Sequence, residues 1–179
     1  MTAIRRLPTI AAALLLLALC RMPGAAAAEE QTFRAFSTFQ VKGELMKTGV
    51  TDATYIGVLS GRFYIDTAQG PIDAGDMSCP VVVHINLKDS TQRGSGQCVL
   101  TGPKGNKAYM DLACTGVPLV GCGGDATITG GTGPLANITG GGHFMIRSSL
   151  LELTPSSGDV FNDNLTGIIF WDKLHYKIP

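Results

Sequence analysis

Over residues 54–67 the chain alternates with a period of two. Tyr55, Gly57, Leu59, Gly61, Phe63 and Ile65 take one set of positions; Ser60, Arg62, Tyr64 and Asp66 take the other. Successive side chains of a β-strand point to opposite faces, so the pattern predicts a strand with one dry face and one wet face. Glycines at 57 and 61 on the dry side predict tight curvature or a close backbone approach. Beyond residue 28 no stretch sustains the i, i+3, i+4, i+7 apolar spacing of an amphipathic helix, and Gly or Pro interrupts most windows.

The same period recurs along the chain. Further strands are predicted at 32–44 (apolar members Phe33, Phe36, Phe39 and Val41), 80–88 (Val81, Val83, Ile85 and Leu87 against Val82, His84, Asn86 and Lys88), 97–101, 107–115, 122–129, 143–154 and 165–178. In the last of these Ile168, Phe170, Asp172, Leu174 and Tyr176 oppose Ile169, Trp171, Lys173 and His175, with Trp171 expected in the core. Segments 68–78, 89–96, 102–106, 130–142 and 155–163 carry turn chemistry and read as loops. About eight strands joined by Gly-rich turns predict a small antiparallel all-β barrel, with a β-sandwich as the alternative. Closure favours the barrel, because it leaves no exposed edge.

Residues 1–28 read as a cleaved signal peptide. Arg5 and Arg6 precede an apolar run from Ile10 to Cys20, Pro23-Gly24 breaks it, and Ala25 to Ala28 offers small residues for a cut after Ala28. The run is shorter than the roughly 20 apolar residues a membrane span needs. A lipid anchor at Cys20 would need a small residue where Leu19 stands, and Leu7-Pro8 after the arginine pair is a poor twin-arginine signal. The proportions are bacterial in type, so the expected destination is the periplasm or the medium. The cut leaves one domain, residues 29–179. The chain has 14 basic and 14 acidic residues; losing Arg5, Arg6 and Arg21 leaves 14 − 3 = 11 basic and a net charge of −3. That balance gives no electrostatic footprint for nucleic acid. No second long apolar run follows, so no membrane association is expected after cleavage.

Cys20 departs with the signal, and Cys79, Cys98, Cys114 and Cys122 remain. An even number of thiols in an oxidising compartment predicts disulfides, and four cysteines allow three pairings. A bridge can clasp the short segment between Cys114 and Cys122, which leaves Cys79 with Cys98. Free buried thiols are the alternative. A zinc site would need tighter Cys-x-x-Cys spacing.

The densest glycine segment is Gly130-Gly131-Thr132-Gly133-Pro134-Leu135-Ala136-Asn137-Ile138-Thr139-Gly140-Gly141-Gly142-His143-Phe144. Glycine reaches positive φ without steric cost, so sharp reversals are expected here, with Leu135 and Ile138 turned inward to plug one barrel end. The segment lacks the Gly-Lys-Ser/Thr of a phosphate loop, and no helix follows it. With the Cys98-Val99-Leu100-Thr101 hairpin and Cys114-Thr115-Gly116, it resembles small exported bacterial proteins of the allene oxide cyclase and dirigent barrel type. The resemblance spans 79–144 and implies an eight-stranded antiparallel barrel. It implies no activity: Leu135 stands where that family usually has an aromatic residue, and the plant enzymes' catalytic residues have no counterpart here.

Candidate chemistry is sparse. His84, His143 and His175 sit on three predicted strands and share no metal-binding motif; surface positions are expected. Asp111 and Asp125 are candidate acid–base groups if they point into the barrel, with solvent-facing positions favoured. Asp73, Asp76 and Asp89 fit no calcium loop. No Gly-x-Ser-x-Gly elbow occurs. Asn137-Ile138-Thr139 and Asn164-Leu165-Thr166 are glycan acceptor sequences, expected to be unused after bacterial-type export. No catalytic residue, cofactor site or metal site is assigned. The expected function is non-enzymatic: binding of a small apolar ligand or a protein partner, or a structural role. The alternatives are a cyclase or isomerase working inside the barrel and an inhibitor of a secreted hydrolase acting through loop 68–78. An interior cavity holding a carboxylate or His would favour the enzyme.

Overall fold

The computed structural model describes residues 29–179. The expected signal peptide, 1–28, and its cut site lie outside the described residues. The alternating segment 54–67 forms most of strand β2 (Asp52–Thr67), which follows β1 (Gln31–Lys47). Strands β3 (Gly70–Asn86), β4 (Thr91–Thr101), β5 (Lys107–Val117), β6 (Gly121–Gly131), β7 (Thr139–Ser157) and β8 (Val160–Lys177) complete the chain. Each strand pairs antiparallel with the next, and β8 returns to β1, so the sheet closes into an eight-stranded barrel rather than a sandwich.

Several turns are much shorter than the sequence suggests. Segment 68–78 is not a loop: β2 reverses at 68–69, and from Gly70 the chain is already β3. Its turn-forming residues are tolerated because residues 70–75 pair with β2 alone, leaving one side of Pro71 free of ladder bonds. Ala74 is an extra residue opposite the Phe63–Tyr64 step, a bulge that Gly75 accommodates at φ 122°. Segment 89–96 is likewise β4 from Thr91 onward, and 155–163 is strand apart from 158–159. The register staggers around the barrel. Residues 148–157 of β7 pair only with β8, forming an overhang at the opposite end from that of β2–β3.

The inward faces divide the interior into two halves. Toward the end closed by 132–138, Phe63, Met77, Met110, Ile128, Phe144, Trp171 and Leu174 pack into a buried core. Phe63 and Trp171 meet edge to face with centroids 5.6 Å apart, an arrangement that suits their ring quadrupoles. Ile138 is buried and Leu135 packs against the same cluster, so the Gly-rich segment plugs this end. Its reversal is a short 3-10 turn, Gly133–Leu135.

Two details of the pattern differ from the alternation. Phe36 faces outward and stacks on Tyr64, while Ala35 and Ser37 point inward. A bulge between Phe33 and Ala35 shifts the β1–β8 register, so Leu174 joins Trp171 inside although the two differ in parity.

Both disulfides form, Cys79–Cys98 with Cα atoms 4.1 Å apart and Cys114–Cys122 with Cα atoms 5.6 Å apart. The first lies in the core where the β3–β4 ladder skips from Ser78–Val99 to Val81–Gly96. Pro80 has no N–H to give there, and the covalent bridge spans the gap. Two disulfides suggest an oxidising, extracytoplasmic environment.

Candidate functional site

The other half of the interior is open. A cavity of about 310 Å³ lies between the packed core and the barrel end formed by the 48–51, 87–90, 118–120 and 158–159 turns. Its wall is apolar, built by alternate residues of successive strands: Val41 and Leu45 of β1, Val81, Val83 and Ile85 of β3, Ile146 and Leu150 of β7. The Cys114–Cys122 bridge is part of the wall, and Leu87 and Leu119 stand at its mouth. Val50, Leu87, Leu119 and Val120 are exposed apolar tips on this end. A volume of this order falls within the range of small-molecule sites, roughly 300–1,000 Å³.

Polar residues also belong to the wall: Gln92, Ser95 and Ser148 line it, and two further ones, Tyr55 and Asp163, are buried. Tyr55 points inward from β2 and Asp163 from β8. They are 4% and 9% exposed, and neither Tyr55 Oη nor Asp163 Oδ1 has a hydrogen-bond partner among the described residues. Their proximity follows from the register. Gly43 of β1 pairs with Gly57 on one side and with Asp163 on the other. The Tyr55 ring lies over the two glycines: a Cβ on Gly43 would stand 2.6 Å from its Oη, and a Cβ on Gly57 2.7 Å. The missing side chains let the phenol cross β1 toward Asp163. The predicted close approach at Gly57 is therefore made by a side chain, whereas at Gly61 it is backbone, the Thr38 carbonyl.

Electrostatics mark the same pair. Burial pushes the Tyr55 phenol above its ordinary range, and the Asp163 carboxylate adds to the shift. Burial also raises the Asp163 carboxyl, opposed by a hydrogen bond from the Asn164 backbone N–H. Both shifts favour the neutral forms. Among the described residues, no Lys, Arg or His lines the cavity. Gln92 also faces it, but its Nε2 is occupied by the Gly121 carbonyl at 3.1 Å.

The sequence candidates lie elsewhere. Asp111 and Asp125 project from the outer face; Asp125 Oδ1 meets His143 Nδ1 at 3.3 Å across the β6–β7 pair. His84 sits beside Thr54, and His175 lies 3.8 Å from Glu30, so the three histidines do not converge. Asp73 and Asp76 both bind Arg62, which holds the Asp73 carboxyl below the usual range. Asp89 lies in the β3–β4 turn.

Asp163 lies in segment 155–163, whose residues carry turn chemistry. Extending the final strand's alternation backward from Trp171 through Ile169, Gly167 and Leu165 reaches it, and that signal was present in the sequence.

No protein-family model matches the chain, and no curated protein matches it.

Proposed function

We propose that this protein is an exported barrel that binds a small, mostly apolar molecule in its open half. The observation that carries the reading is the cavity itself: about 310 Å³ of apolar space open at one end, beside a core packed solid at the other. A barrel built only for a structural role would gain stability by filling that space, since each unfilled methyl-sized void costs on the order of 1 kcal/mol. The two disulfides and the export signal suit a protein that holds its shape outside the cytoplasm. The resemblance to the allene oxide cyclase and dirigent barrels fits the architecture and supplies no ligand.

Displacement of a neutral apolar fluorophore, such as N-phenyl-1-naphthylamine, tests the reading. The mature protein should bind it, and Val83→Trp, which fills the cavity from β3, should abolish binding while the protein stays folded. A wild-type protein that takes up no apolar probe overturns the proposal.

A second reading is favoured by one observation. A carboxyl and a phenol, both buried and both biased toward neutrality, face the cavity, and such a pair can move a proton for a cyclase or isomerase. Turnover of a bound ligand, lost in Asp163→Asn with binding retained, would select this reading. The segment 68–78 named for the inhibitor alternative is mostly β3 rather than a loop, and no observation singles it out for that role.

A further inference from the structure

We infer that the cavity selects molecules bearing a neutral hydroxyl group, held between Tyr55 Oη and Asp163 Oδ1. The inference rests on the binding reading above and adds the chemistry of the ligand's polar end.

Four facts lead there. Both side chains are more than nine-tenths buried, at 4% and 9% exposure. Both oxygens lack a hydrogen-bond partner among the described residues. Both belong to the wall of one cavity. The two are neighbours through Gly43, whose strand lies between theirs, and adjacent strands are only about 4.8 Å apart. A buried polar atom left unpaired costs about 1–3 kcal/mol, so a ligand that pairs both atoms recovers what a hydrocarbon would leave unsatisfied.

The surroundings narrow the choice. A carboxylate or phosphate would enter a site with no cation among the described residues of its lining and a carboxyl in its wall. An ammonium would have to bury an ion pair in an otherwise apolar chamber, at a large desolvation cost. An ether or ketone offers only acceptors. A hydroxyl both donates and accepts, so it satisfies the phenol and the carboxyl whichever of them holds its proton toward the ligand. The apolar remainder then occupies the space toward Val83, Ile146 and Leu150.

The experiment uses the mature protein with the same naphthylamine probe and four competitors of equal chain: 1-octanol, octyl methyl ether, octanoate and octylamine. Octanol is expected to compete about tenfold more strongly than the methyl ether, corresponding to about 1.4 kcal/mol. Octanoate and octylamine should be weaker still. The preference for octanol should disappear in Tyr55→Phe, a change that removes one oxygen, and in Asp163→Leu; the first keeps the test valid if the second fails to fold. Failure of the probe to bind at all overturns the binding reading. A probe that binds but is displaced equally by the four competitors, or best by octanoate or octylamine, overturns only the hydroxyl inference. So does an octanol preference that survives in Tyr55→Phe.

Discussion

Gly43 leaves its side-chain space to Tyr55, whose Oη stands 2.6 Å from where a Cβ on Gly43 would be. The same Cβ would also lie 2.3 Å from the Ile56 carbonyl oxygen, a backbone atom that cannot swing aside. Gly43→Ala must therefore shift both the phenol and the β1–β2 pair. Overpacking of this kind costs about 1–3 kcal/mol, or roughly 2–4 °C in Tm per kcal/mol for a domain of this size. Thermal unfolding checks the stability loss. Probe displacement should show reduced octanol preference in the same variant, because the phenol is pushed from its place over Gly43. A Gly43→Ala protein with unchanged Tm would contradict the geometry.

The buried carboxyl makes stability pH-dependent in a stated direction. Burial raises the Asp163 pKa in the fold above that of the unfolded chain, about 3.9 for a free aspartate. The folded state therefore holds the proton more tightly. Its contribution is greatest below the unfolded value and is lost as pH rises through that value toward the folded one. Asp163→Asn has no such loss. Urea denaturation from pH 3.5 to 7.5 should show the variant gaining on the wild type as pH rises through this window, then holding a constant lead. A difference independent of pH would show that Asp163 titrates normally.

The disulfides are expected to contribute unequally. Cys79 and Cys98 are separated by 19 residues, Cys114 and Cys122 by 8. Loop-closure entropy alone gives about 3.2 and 2.5 kcal/mol. Cys79–Cys98 also fills the core and crosses the gap at Pro80. Paired Cys→Ala variants compared by denaturant unfolding should rank the 79/98 pair as the larger loss. Equal losses would mean that closure entropy and the ladder gap do not set the ranking.

Stability and binding should separate along the barrel. Phe63 belongs to the packed half, against Trp171, and does not line the cavity. Phe63→Ala should cost about 3–5 kcal/mol while the folded protein keeps its probe affinity within a factor of about two. Val83→Trp should do the reverse. Isothermal titration beside urea unfolding reads both quantities. A large affinity loss in Phe63→Ala would mean that the packed half shapes the ligand space.

The strands were legible where one face is dry along its whole length, as in β2, and the closed barrel followed from their number and their short turns. Legibility failed at the overhangs. Gly70-Pro71 and Asp73-Ala74-Gly75 carry turn chemistry inside a strand, because residues 70–75 have a ladder partner on one side only. Parity failed at the β1–β8 bulge, where Leu174 joins Trp171 on the inner face although the two differ in parity. The candidate site was half visible. Tyr55 was placed on the dry face, but nothing local in the sequence says that its ring lies across Gly43, a residue of another strand. Asp163 sits among Ser, Gly and Asn residues that read as a loop. Sites made by cross-strand register are invisible to a reading that takes strands one at a time.

The seam between β1 and β8 joins the two ends of the domain: Tyr176 Oη donates to Gln31 Oε1 at 2.7 Å, across 145 residues of sequence. The strand synthesised first therefore waits for the strand synthesised last. Until β8 arrives, both β1 and β7 present unpaired edges able to recruit other chains, and the final loop to close is the longest in the molecule. A chain truncated before Val160 would lack the strand that caps both edges, and its natural failure would be self-association rather than a smaller, weaker barrel.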